Sequence, residues 1–169
     1  ETKTISPLPY SIQVAIAPTK NADRIEWFVE KAVEIGIDKI SFIKCSRSER
    51  KNINTDRIEK IVISAMKQSL KAYKPLIEEL ESFDKFIKNT KANKKYIAQL
   101  EDDRKELIKT APKKENYCIL IGPEGDFTLD EIHKAKDKGF EPVSLGNSRL
   151  RTETAGLAAC HILNIVNEL

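Results

Sequence analysis

Residues 119–127 read ILIGPEGDF, and residues 143–157 read VSLGNSRLRTETAGL. Each stretch opens on a short apolar run and breaks at glycine, Gly122 and Gly125 in the first and Gly146 in the second. An apolar run without polar alternation suits a strand buried on both faces, which is the habit of parallel sheets. A segment of helical character follows each turn. Strand, glycine turn and helix, twice in succession, predict an α/β fold: a mainly parallel sheet with helices on both faces. Ligands of such sheets bind at the carboxyl ends of the strands, where both turns would lie.

The alternation continues outward from this stretch. Tyr10–Ala17, Lys39–Cys45, Tyr96–Leu100 (running into Glu101, Asp102 and Asp103) and Tyr117–Ile121 have strand composition, and Pro142–Leu145 makes a short fifth strand. Asp23 with Glu26 has the form of a capping box. Ile25, Phe28, Val29, Ala32 and Val33 then recur at helical spacing up to Gly36, a helix-closing glycine. Trp27 falls at the edge of that face, either as core or as a stacking platform. Thr55 or Asp56 can start a second helix, ended by Pro75, and Ser82 a short third. Arg104–Lys109 has room for one or two helical turns. Thr128 and Glu131 form another capping box, in a helix closed by Gly139. The last helix starts near Thr152 or Glu153, with Ala155, Ala158, Ala159, Ile162, Leu163 and Val166 on one stripe.

A chain of 169 residues is sized for one domain. Its 29 basic and 26 acidic residues leave a net charge of +3, which permits a nucleic-acid partner without demanding one. Lys44, Arg47, Arg50, Lys51, Arg57 and Lys60, followed by Lys67, Lys71 and Lys74, form either a solvated face or a patch that tracks phosphates. Cys45, Cys118 and Cys160 are odd in number and far apart, which suits free thiols in a reducing cytoplasm. His133 and His161 stand alone, so no metal site is expected. No apolar run is long enough to cross a bilayer, and ETKTISP has no secretory leader. Residues 1–9, with two prolines, read as a linker, and 10–169 as the folded domain.

Several chemistries lack their motifs. No G-x-G-x-x-G follows the first strand, GPEGDF lacks the Lys-Ser/Thr of a Walker loop, and no G-x-S-x-G elbow occurs. What remains is a cofactor or nucleotide gripped by backbone at Gly122–Gly125 and Gly146.

IGPEGDFTLDEI and LGNSRLRTETAG resemble the closing motifs of the bacterial 16S ribosomal RNA uracil-N3 methyltransferases of the SPOUT superfamily. KNADRIEWFVEKAVEIGIDKI, SRSERK and AMKQSLKAYKPLI resemble the same family in the same order. The resemblance covers residues 10–169. It implies a C-terminal trefoil knot, a homodimer, and an N-terminal RNA-binding domain upstream of residue 1. It also implies methyl transfer from S-adenosylmethionine to N3 of a uridine in the small ribosomal subunit. The chain departs from the family at Asp126, where a second glycine is usual, and at Ser148, where arginine is usual. It departs also at Arg149, where a hydrophobic residue is usual, and at Lys71, where arginine is common.

By this resemblance Gly122, Pro123, Gly125 and Gly146 would bring backbone close to the cofactor, with Ile121, Leu145, Leu150 and Leu100 as apolar walls. Glu124 would either offset the sulfonium or stabilise its turn. Thr154 and Ala155 would keep the helix start slim. Arg151 would touch the cofactor pocket and either stabilise the uracil anion or grip the target phosphate. Glu153 would take the N3 proton, orient Arg151, or simply suit the helix start. Arg24, Arg47, Arg50, Lys67, Gln68, Lys71 and Arg149 would face RNA.

Overall fold

The computed structural model describes residues 8–100 and 104–169. Most of the predicted linker, and Glu101, Asp102 and Asp103, lie outside them. The strands are β1 (Ser11–Ile16), β2 (Lys39–Lys44), β3 (Leu76–Ser82), β4 (Lys94–Ala98), β5 (Lys105–Glu106), β6 (Asn116–Ile121) and β7 (Glu141–Ser144). The helices are α1 (Ala22–Ile35), α2 (Thr55–Ser69), α3 (Phe83–Asn89), α4 (Leu107–Thr110), α5 (Leu129–Asp137) and α6 (Thr152–Glu168). One sheet runs in the order β3-β2-β1-β6-β4-β7-β5, and every neighbouring pair is parallel. The α/β architecture expected from the sequence is therefore present.

Side chains alternate cleanly across this sheet. Ile12, Val14 and Ile16 of β1, Ile40 and Phe42 of β2, and Tyr117, Ile119 and Ile121 of β6 face α1, α2 and α6 in one core. Ala15, Ile43, Ile97, Cys118 and Leu120 face the other way, against Phe83, Phe86 and Ile87 of α3 and Ile132 and Ala135 of α5. All three cysteines are free and buried, and burial pushes the Cys160 thiol up to about 12. Trp27 is half exposed on α1 rather than core. Among the described residues no helix is long and apolar enough to cross a membrane.

Several boundaries differ from expectation. Strand β3 was not expected. Its apolar residues Ile77 and Leu80 are three apart, which reads as helical spacing. A bulge explains it: Ile40↔Ile77 and Phe42↔Leu80 pair in register, so two steps on β2 match three on β3, and both side chains reach the same core. Short β5 occupies part of the segment expected to be helical turns, and α4 follows it. Asn21, not Asp23, caps α1 by accepting from the Asp23 N–H, and Asn54 caps α2 by accepting from the Arg57 N–H. Helix α2 ends before Pro75, at Leu70 in the left-handed region. The Thr128–Glu131 capping box and the Ser82 cap form as expected.

Helix α6 packs back over β1. A Cβ on Gly156 would meet Ile16 Cδ1 and Phe28 Cε2, each at 2.9 Å, so glycine is what lets α6 lie this close. That contact fixes the start of α6 beside the carboxyl ends of the central strands.

Candidate active site

Strands β6, β4 and β7 are neighbours. Their carboxyl ends open together into a cleft of about 290 Å³. The segment after β4 supplies Gln99 and Leu100, the turn after β6 supplies Gly122, Pro123, Glu124 and Asp126, and the turn after β7 supplies Leu145 and Gly146. The run from Ser148 to Thr152, with Ala155 one turn into α6, closes the far side.

The turn after β6 is held from every side. Thr152 Oγ1 donates to the Gly122 carbonyl at 2.9 Å, so the first residue of α6 is pinned to this turn. The Asp126 N–H donates to the Pro123 carbonyl at 2.9 Å, with Asp126 at φ 65°. The Lys20 N–H donates to Glu124 Oε1 at 2.9 Å, and Arg47 Nη1 donates to the Gly125 carbonyl at 2.9 Å. A Cβ on Gly122 would stand 3.1 Å from the Phe127 ring, which is itself core.

The turn after β7 is the opposite. Gly146 has φ 132°, open space above its Cα within 4 Å, and a place in the cleft wall. Asn147, Ser148 and Arg149 are exposed. An ion pair spans the mouth: Arg149 Nη2 to Asp126 Oδ2, at 3.6 Å. These are two of the positions where the chain departs from the family pattern, and here they face each other.

Leu100, Gly122, Pro123, Glu124, Leu145, Gly146, Leu150, Arg151 and Ala155 line the cleft, as does Arg149. Ile121 lies behind it in the core, Gly125 sits under the Arg47 side chain, and Thr154 is exposed off the cleft. Gln99, Asp126, Ser148 and Thr152 belong to the lining and were not expected to. Arg104 also lines it and donates to the Leu100 carbonyl. The only sequence signal for Gln99 is that it follows a strand. Arg104, beyond the acids after β4, had none.

Arg151 is the N-cap residue of α6, exposed, and its guanidinium has no partner among the described residues. Glu153 does not join it. Glu153 is buried, absent from the cleft wall, and nearest to Arg24 of α1, with Nε and Oε1 3.9 Å apart. The residues expected to face RNA also divide. Arg24, Arg47, Arg50 and Arg149 gather at the cleft end of the sheet. Lys67 and Gln68 lie on the last turns of α2, which runs back to the amino ends of the strands, and Lys71 follows, its Nζ 4.0 Å from a Cβ built on Gly36. No group of three or more His, Cys, Asp or Glu among the described residues is arranged to hold a metal ion.

The RNA methyltransferase domain family matches residues 6–164. Ribosomal RNA small subunit methyltransferase E of Rickettsia conorii is 29% identical over 157 residues, covering 89% of this chain and 64% of that protein. The crystal structure of a probable rRNA-methyltransferase from Porphyromonas gingivalis superposes with a TM-score of 0.93 at 44% identity, over 99% of this chain and 72% of that one. The Neisseria gonorrhoeae ribosomal RNA small subunit methyltransferase E, crystallised with S-adenosyl methionine, gives 0.83 at 26% identity, over 94% and 67%. The chain thus spans about two thirds of the length of the relatives it matches.

Proposed function

The chain belongs to the RNA methyltransferase domain family, and on that premise we propose that it methylates N3 of a uridine in 16S ribosomal RNA, using S-adenosylmethionine. The observation that carries this is the cleft at the carboxyl ends of β4, β6 and β7, with open space at Gly146 and, on its wall, an Arg151 that is unpartnered among the described residues. The residues present fit the cofactor. Gly122 and Gly146 offer backbone at close range, and Leu100, Leu145 and Leu150 give apolar walls. When bound, the cofactor supplies a methyl group on a sulfonium.

The rest of the chemistry falls to the chain. The reacting nitrogen must be held in line, and the pinned start of α6 gives the rigidity for that. N3 of uracil is an imide nitrogen, so losing its proton puts negative charge on the flanking oxygens. Arg151, always charged and unengaged, is placed to meet that charge from the cleft wall. Glu153 is buried off the cleft and is not assigned the proton.

A homodimer is part of the proposal, supported by the half-buried stripe Ala155, Ala158 and Ile162 on α6 beside the cleft. The knotted path is another part. It is supported by α6 crossing from the end of β7, past β4 and β6, to pack on β1. The buried free thiols support a cytoplasmic setting.

Arg151→Ala in the full-length protein tests the central assignment. Methylation of 16S ribosomal RNA should fall by about 100-fold or more, while calorimetry shows cofactor affinity changed less than about threefold. An equal loss of cofactor binding would remove the role given to Arg151.

A further inference from the structure

Beside the cofactor cleft lies a second, more open one of about 530 Å³. Lys20, Asn21 and Arg24 form one side, Glu49 another, and Glu124 belongs to both clefts. The cations near it are not equally free. Arg47 donates Nη1 to the Gly125 carbonyl at 2.9 Å. Arg50 donates Nε to the Thr19 carbonyl at 2.9 Å and Nη2 to the Lys20 carbonyl at 2.8 Å. Lys20 is paired with Glu49 at 3.3 Å. The Arg24 guanidinium has no hydrogen bond among the described residues. Its Nε faces Glu153 Oε1, and its side chain is 41% exposed.

Glu153 is the other half of the observation. It is 7% exposed, and its Oε2 is buried without a hydrogen-bond partner among the described residues. A buried carboxylate oxygen lacking a donor is costly. The positive end of α6 offsets part of that cost, and the Arg24 charge lies 3.9 Å from the other oxygen, Oε1. Thr152, the neighbouring residue, is tied to the floor of the cofactor cleft. Glu153, the next position, lines neither cleft but turns toward Arg24, which lines the second.

A guanidinium has two edges. With Nε turned to Glu153, the edge carrying both Nη atoms remains for an anion, in a bidentate geometry suited to phosphate. Resting on the methyltransferase reading above, we propose that the second cleft seats an RNA phosphate beside the target nucleotide, and that Glu153 is a positioning residue that fixes Arg24 toward it.

The test uses the full-length protein, S-adenosylmethionine and a short single-stranded RNA containing uridine. Glu153→Gln and Arg24→Ala should each raise KM for RNA by about tenfold or more and leave cofactor affinity unchanged. The double variant should be no worse than Arg24→Ala alone. Glu153→Asp, which keeps the charge, should recover part of the loss. If Glu153→Gln does not fold, Arg24→Lys stands in: it lacks the fork and should lose as much as Arg24→Ala. Additive losses, an Arg24→Ala protein with normal KM, or a Glu153→Gln effect on cofactor affinity would each overturn the proposal. Wild-type protein that binds cofactor but takes up no RNA would overturn it too, with the cofactor site standing. Failure to bind cofactor would overturn the functional reading and this proposal together.

Discussion

The turns after β6 and after β7 face each other across one cleft but are built on opposite terms. The first spends its polar groups on the protein: Gly122, Glu124 and Gly125 each accept a hydrogen bond from a distant segment. The second leaves the space where a Gly146 Cβ would stand empty to 4 Å, and Ser148 and Arg149 exposed. One is a fixed floor whose free energy is already committed to folding. The other is a wall whose open space, and whose Arg151, unpartnered among the described residues, are available to a ligand. Substitutions on the floor should therefore be read in stability, and those on the wall in binding.

The sharpest way to break that contrast is Gly122→Val. A Cβ there stands 3.1 Å from the Phe127 ring and 3.3 Å from its backbone nitrogen, and Phe127 packs on Phe83 with ring centroids 5.7 Å apart. Overpacking of this kind costs about 1–3 kcal/mol, or roughly 2–4 °C in Tm per kcal/mol for a chain of this size. A thermal melt unchanged by Gly122→Val would mean the floor is not fixed. Thr152→Val is the milder probe. It strips the hydroxyl from the Gly122 carbonyl without changing shape much, and chemical denaturation should show a loss of about 1 kcal/mol. Arg149→Ala should do least. Its partner Asp126 is 53% exposed and Arg149 77%, so the pair contributes under about 1 kcal/mol and fades with salt. A salt-insensitive loss larger than that would show that the wall, too, is part of the folded framework.

Much of the fold was legible because burial writes a period into the chain. The unbroken run Tyr117–Ile121 marked the central strand, and the capping box at Thr128 and Glu131 marked α5. Strand β3 was hidden because its bulge spaces Ile77 and Leu80 like helix residues. The caps Asn21 and Asn54 stand beside the expected ones, Asp23 for α1 and Thr55 or Asp56 for α2, since several polar residues compete for the same role within a few positions. The two glycine turns pointed to the cleft end of the sheet, and the resemblance supplied what the cleft would hold. The partners of Glu153 were not legible. Arg24 lies 129 positions earlier and reaches it only because Gly156 lets α6 settle against β1 and α1. In the same way, nothing local to Arg47 and Arg50 announces that their guanidinium groups donate to the carbonyls of Gly125, Thr19 and Lys20.

The most direct test of the account is a calorimetric titration of S-adenosylmethionine into the wild-type protein and into Gly146→Ala. At φ 132° an alanine is strained, by about 1 kcal/mol at the low end for such positions, but its methyl group clashes with nothing in the protein. Saturable binding near one cofactor per wild-type chain is expected. Binding in Gly146→Ala should be at least about tenfold weaker, equivalent to about 1.4 kcal/mol, with the protein still folded. A folded wild-type protein that does not bind, or a Gly146→Ala protein that binds as well as wild type, would contradict the account.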